Sequence, residues 1–174
     1  MEEKFPKRKT MRWDKRDYSA EGAYFITICT KDRKNLFWKP DFDLQNYDFV
    51  VGANCVRPQN LPLSKLGETI FSELERWNDI YPNVWIDYFV VMPNHIHLIV
   101  VISEREDGRT QFAPTVSRMV KQFKGKTTKT IGKPIFQKSF YDRVIRDREE
   151  YVKICNYILE NPLKWEEDEL YFDE

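Results

Sequence analysis

The sequence predicts an α+β domain with a mostly antiparallel sheet and helices on one face, in a ferredoxin-like arrangement. Three short runs rich in β-branched and aromatic residues read as strands, at 23–29, 84–91 and 95–102. Three longer segments have the apolar spacing of amphipathic helices. The predicted order is strand, hairpin, helix, two strands, helix, short strand, helix, which suits helices packed beside an antiparallel sheet.

Each strand run is bounded by turn residues. The first, AYFITIC, leads through a polar stretch to residues 36–38, a candidate hairpin partner. The next two runs are joined by Met92-Pro93-Asn94 and are predicted to be paired central strands. Two weaker extended segments are expected at 48–53 and 134–140.

The helices are predicted from their apolar periodicity and, for two of them, from a signal at one end. Ser64 is a candidate N-cap for a helix over 64–80. A second helix is expected over 115–129, weakened in its second half by Gly125. A third covers 149–161 and ends before Pro162, because proline disfavours helix in the residue before it.

The 174 residues are expected to form one folded domain. We divide them into a basic N-terminal arm (1–20), a domain (21–165) and an acidic C-terminal tail (166–174). The arm could enter a DNA groove or hairpin stem, or could simply be a solubilising tail. Residues 43–63 and the acidic tail receive no function.

Charge is segregated along a chain whose formal net charge is zero, with 28 basic and 28 acidic residues. No acidic residue occurs between 108 and 141, so one face could be strongly positive. Lysine and arginine in such a stretch could contact a DNA backbone, or could be a solvated helix face. The predicted DNA-binding residues are Arg118, Lys121, Lys124, Lys126, Lys129, Arg143 and Arg146.

Cysteine usage and hydropathy indicate the compartment. The three cysteines lack CxxC spacing, no apolar leader precedes the domain, and no run approaches the ~20 apolar residues of a membrane span. We therefore expect no membrane partner and a cytoplasmic protein, associated with the nucleoid when bound to DNA.

The only two histidines, His95 and His97, lie within one predicted strand. Side chains alternate along a strand, so both imidazoles point to the same face while Ile96 points to the other. Either they are half of a divalent-metal site, or one is exposed and the other is a hydrogen-bonded core residue. The apolar flanks favour the metal site, because two buried imidazoles without a partner are costly.

Tyr157 and Asn161 are four residues apart on the last helix and therefore share a face. A phenol and an amide oxygen there could supply a nucleophile and a third metal ligand. Alone the pair indicates little, since a tyrosine on an amphipathic helix is usually a packing residue. Asn before Pro is, equally, a common helix end.

Together these motifs are specific. A strand-borne FVVMPNHIHLIVVI followed by FQKSFYDRVIRDREEYVKICNYILENPLKW resembles the HUH single-tyrosine transposases, in particular the REP-associated tyrosine transposases. The strand-and-hairpin segment AYFITICTKDRKNLF falls in the family's order, and the resemblance extends from about residue 17 to 165. It implies the HUH endonuclease fold.

The resemblance also implies a reaction. His95 and His97 would bind a divalent metal, Mg²⁺ or Mn²⁺, with Asn161 as the amide ligand and Tyr157 as the catalytic nucleophile. The substrate would be single-stranded DNA with a hairpin, cleaved and transferred through a phosphotyrosine intermediate. The family leaves open whether one chain builds the site or two chains do so as a homodimer.

Three hypotheses compete. The protein is an active DNA strand-transferase, or a domesticated relative that holds hairpin DNA without cutting it. The third is a ferredoxin-like metal- or ligand-binding protein whose histidines are structural. The intact residues favour the first over the second, and the segregated charge disfavours the third.

Overall fold

The computed structural model describes residues 21–43, 60–103 and 115–171. Its centre is a four-stranded antiparallel sheet with the strand order β2-β3-β1-β4. The strands are β1 (Gly22–Cys29), β2 (Val84–Val91), β3 (His95–Ile102) and β4 (Tyr141–Ile145). The first three coincide closely with the predicted runs.

The strand register decides which side chains surround the histidines. Thr27 of β1 and Val90 of β2 both lie opposite His97, and Cys29 lies opposite His95. Residues paired across an antiparallel ladder point to the same face of the sheet. This face is called the histidine face below.

Each of three helices begins directly after a residue whose side chain caps its N-terminus. They are α1 (Lys65–Glu75), α2 (Val116–Ile131) and α3 (Arg148–Glu160). The side chains of Ser64, Thr115 and Asp147 accept hydrogen bonds from the first-turn N–H groups. Short 3-10 helices occupy Lys31–Arg33, Arg76–Asp79 and Asn161–Glu167.

The helices cover both faces of the sheet. Phe71 of α1 contacts Phe89 of β2, whereas Tyr151 of α3 contacts Tyr88, the neighbouring residue whose side chain points the other way. The α2 helix packs beside α1, where Lys126 forms an ion pair with Glu73, and its Phe123 contacts Trp77 in the 3-10 helix that follows α1.

The predicted α+β class with an antiparallel sheet is confirmed. The prediction that the helices pack on one face of the sheet holds for α1 and α2. The α3 helix lies on the opposite face, which is the histidine face. The reason is visible in β3, where Leu98 and Ile99 point to opposite faces and are both fully buried. A sheet that is apolar on both faces requires cover on both.

Two predicted extended segments differ from the structure. Residues 36–38 do not pair with β1, because the N–H groups of Leu36 and Phe37 both donate to the carbonyl oxygen of Pro93 at 2.9 Å. Residues 134–140 form only an isolated bridge, and the strand follows them as β4. The sequence does not predict β4, because Asp142 and Arg143 interrupt its apolar residues. The predicted arm 1–20 and strand 48–53 lie outside the described residues.

Within the described parts of the chain, no helix has the length and apolar character needed to cross a membrane.

Candidate active site

The two imidazoles of β3 point at each other from the same face of the sheet. The Nε2 atoms of His95 and His97 are 2.9 Å apart, and both side chains are buried. This proximity follows from the two-residue period of the strand, as expected from the sequence.

The opposite nitrogen of each ring is held by a neighbour. Asn94 Oδ1 lies 2.8 Å from Nδ1 of His95, and the Asn94 amide nitrogen donates to the carbonyl oxygens of Arg33 and Leu170. Those two bonds fix the amide orientation, so Asn94 Oδ1 accepts and Nδ1 of His95 carries the proton. The lone pair of His95 Nε2 therefore faces the site.

His97 has a corresponding partner in β1. Its Nδ1 lies 2.9 Å from the Thr27 hydroxyl oxygen, which can accept a proton from it. In that tautomer the lone pair of His97 Nε2 also points into the site, as a metal ligand requires.

Burial keeps both histidines uncharged. It lowers the pKa of His95 to about 3, with a further contribution from the positive charge of Arg33. Burial also holds the pKa of His97 well below its usual value, and His95 adds to this effect while Asp168 opposes it. Neutral imidazole is the form that binds metals.

Tyr157 of α3 brings its phenol to this pair. Its hydroxyl oxygen lies 3.1 Å from Nε2 of His97, and it donates to Oδ2 of Asp168 at 3.1 Å. Burial of the phenol, together with the Asp168 carboxylate, raises the pKa of Tyr157. The side chain is still 43% exposed, so a substrate could reach it. Tyr157 and both histidines meet within one chain.

Asn161 lies one turn after Tyr157 and is buried. Its amide nitrogen donates to Oδ2 of Asp168 at 2.9 Å. Its Oδ1 atom is buried without a hydrogen-bond partner in the described structure. A buried oxygen without a partner, on a residue that lines the same cavity as His97, is an available donor atom for a cation.

Sequence reasoning missed Asp168, which belongs to the acidic tail that had been given no function. The predicted domain boundary after residue 165 falls inside the 3-10 helix Asn161–Glu167, which carries Asp168 into the site. Its Oδ2 atom is 4.0 Å from Nε2 of each histidine. The only available signal was its position seven residues after Asn161, among other acids.

The donor set fits a divalent cation. His95, His97 and Asp168 form a group whose ligand atoms all lie within 4.8 Å of one another. Two neutral nitrogens with amide and carboxylate oxygens suit Mn²⁺, and equally other borderline divalent ions.

The comparisons with known proteins support the transposase family that the motifs suggested. No family model matches the chain. An uncharacterized protein of Haemophilus influenzae is 32% identical, over 95% of this chain and 94% of its own length. A second protein of that organism, described as "Putative REP-associated tyrosine transposase", is 25% identical over 86% of this chain and 75% of its own. The chain is thus similar in sequence to a REP-associated tyrosine transposase over most of its length.

A solved structure shares the fold of the present protein. It is described as a REP-associated tyrosine transposase bound to a REP hairpin, and it aligns with a TM-score of 0.56 at 21% identity. The alignment covers 87% of this chain and 73% of that one.

In the present protein, a cavity of about 830 Å³ opens in front of Tyr157. Phe25, Thr27 and His97 are on its wall, and three cations lie around it: Arg143, Lys153 and Lys164. Each cation is paired with a glutamate of α3, namely Glu150, Glu149 and Glu160 respectively. Two of the three, Lys153 and Lys164, were not among the predicted DNA-binding residues.

The DNA-binding residues predicted from the sequence are spread over several elements of the structure. Arg143 lines the cavity, and Arg146 is exposed just before α3. On α2, the side chains of Arg118, Lys121 and Lys129 are exposed. Their role in DNA binding stays a prediction.

Two other predicted DNA-binding residues are engaged within the protein. Lys126 forms an ion pair of 2.7 Å with the buried Glu73 of α1. Lys124 donates to the carbonyl oxygens of Gln137 and Ser139 at 2.9 Å, and burial lowers its pKa to about 8. Because it pairs with a residue of α1, Lys126 lies away from the histidine face.

Proposed function

We propose that the protein cleaves single-stranded DNA and transfers the strand through a covalent phosphotyrosine intermediate, with the aid of a divalent metal. The observation that carries this proposal is the distance of 3.1 Å between the Tyr157 hydroxyl and Nε2 of His97, in a cavity open to solvent. A nucleophile beside neutral metal-binding groups matches the needs of phosphodiester cleavage.

The covalent step is a substitution at phosphorus. The Tyr157 oxygen forms a bond to phosphorus as the bond to the 3′ oxygen of the neighbouring nucleotide breaks. The phenol proton leaves to solvent water in the open cavity, and the departing oxygen becomes a 3′-hydroxyl by taking up a proton from solvent. The phosphotyrosine preserves the energy of the broken bond for rejoining.

His95, His97 and the free Oδ1 of Asn161 would hold the metal, for which we favour Mg²⁺ or Mn²⁺. When bound, the cation supplies positive charge that offsets the charge developing on the scissile phosphate. Asn94 and Thr27 orient the two imidazoles toward this position before substrate arrives.

The substrate class rests on the similarity to known transposases and on three basic side chains at the cavity. A related transposase is described as bound to a REP hairpin, so we propose a DNA hairpin with a single-stranded flank. Arg143, Lys153 and Lys164 surround the nucleophile and could contact phosphates on either side of the cleaved bond.

The test incubates labelled single-stranded hairpin DNA with the protein and Mn²⁺, followed by a denaturing gel. We expect a covalent protein–DNA band that is lost in Tyr157→Phe. Tyr151→Phe is the matched control, because Tyr151 is on the same helix but bonds to Asp87, away from the histidines. Retention of DNA in a native gel without an adduct would instead indicate a binding protein, and no binding would overturn both.

A further inference from the structure

We propose that Asp168 is a direct ligand of the metal, a carboxylate that joins the two histidines from the C-terminal segment. This inference rests on the proposed metal dependence and identifies a further residue of that site.

The three donor atoms have the right spacing for one ion. Nε2 of His95, Nε2 of His97 and Oδ2 of Asp168 are separated by 2.9, 4.0 and 4.0 Å. The centre of a triangle with these sides is about 2.1 Å from each corner, a normal distance from a divalent ion to nitrogen or oxygen ligands.

Burial makes the carboxylate costly without a cation. The Asp168 side chain is 1% exposed, and no lysine or arginine of the described residues pairs with it. Its neighbours at 4.0 Å are the Nε2 atoms of two imidazoles, and the Nδ1 atom of each ring is bonded elsewhere, to Asn94 and Thr27. A buried anion generally requires a counter-charge, and a divalent ion would provide one.

The hydrogen bonds to Asp168 hold the carboxylate in a ligating orientation. The N–H of Leu170 donates to Oδ1 at 2.6 Å, and the Asn161 amide donates to Oδ2 at 2.9 Å. The same segment is tied to β3, since Asn94 donates to the carbonyl oxygen of Leu170 and Trp165 packs on the His95 ring. Ligating carboxylates are normally held by hydrogen bonds of this kind.

The test measures Mn²⁺ binding to the full chain by titration calorimetry, with no DNA present. We expect Asp168→Asn, which preserves shape but removes charge, to weaken binding by about ten-fold or more. Asp168→Glu should recover part of the loss. Glu167→Gln and Glu169→Gln are matched controls that remove the same charge from exposed neighbours, and should stay within about two-fold of the parent protein.

The outcomes separate this inference from the function on which it rests. If His95→Ala loses Mn²⁺ binding while Asp168→Asn binds as the parent protein does, Asp168 is not a ligand and the histidine site stands. If His95→Ala also binds normally, the proposed metal site itself is wrong. Circular dichroism checks that each variant is folded. Should Asp168→Asn not fold, equal Mn²⁺-induced rises in Tm for Asp168→Ser and the parent protein would overturn the inference.

Discussion

Oδ1 of Asn94 accepts a hydrogen bond from Nδ1 of His95 at 2.8 Å, and thereby sets which nitrogen of that ring faces the site. The same amide donates to carbonyl oxygens of two distant segments, at Arg33 and Leu170. The turn residue before the first histidine thus orients a candidate ligand and fastens the C-terminal segment to the sheet.

We expect Asn94→Ala to weaken Mn²⁺ binding by about 10- to 100-fold, because the His95 ring loses the partner that fixes its tautomer. Asn94→Asp preserves the acceptor but loses the two donated bonds, so it should retain more of the affinity. Titration calorimetry provides both values. Equal affinity for Asn94→Ala and the parent protein would show that His95 needs no orienting partner.

Thr27 has the corresponding position beside His97, at 2.9 Å from its Nδ1. Thr27→Val removes the hydroxyl at nearly constant shape, and we expect Mn²⁺ affinity to fall by about ten-fold or more. Thr27→Ser retains the hydroxyl and should restore binding. A valine variant that binds as tightly as the serine variant would contradict the role of this hydrogen bond.

His95 should affect the reaction much more than the binding of DNA. We expect His95→Ala to abolish formation of the covalent adduct while sparing most of the affinity for hairpin DNA, because phosphate contacts come mainly from basic side chains. Gel assays of cleavage and of binding measure the two effects separately. A parallel loss of both would argue against a catalytic metal at this residue.

The sequence was sufficient for what depends on local periodicity. The HIH spacing placed two rings on one face, and the candidate cap Ser64 marked the start of a helix that the structure contains. Asp168 could not be predicted in this way. It reaches the histidines because Asn161–Glu167 winds as a 3-10 helix and then stops, which is a tertiary outcome that no repeat encodes. The placement of α3 on the histidine face was likewise decided by burial of both sheet faces.

Two basic residues should respond differently in DNA binding. We expect Arg143→Gln, at the cavity, to lower affinity for hairpin DNA and to reduce the slope of log K against log salt by about one. Lys126→Gln should change the slope little, because Lys126 is on α2, away from the cavity, where it pairs with Glu73 of α1. Binding measured across a salt series checks both. Identical slopes for the two variants would favour an unspecific basic surface.

Two helical glycines offer a matched test of the packing. A Cβ at Gly67, in α1, would overlap the carbonyl oxygen of Phe37, whereas a Cβ at Gly125, in α2, has no neighbour within 4 Å. We expect Gly125→Ala to raise the free energy of unfolding by about 0.5–1 kcal/mol, because alanine favours helix over glycine.

The same substitution at Gly67 should lower the free energy of unfolding by about 1–3 kcal/mol, because the clash involves backbone that cannot turn aside. That backbone matters to the site, since the N–H of Phe37 donates to Pro93 in the turn before the histidines. Urea unfolding of both variants gives the two values. Stabilisation by Gly67→Ala would mean that the loop 36–38 does not pack against α1 as described.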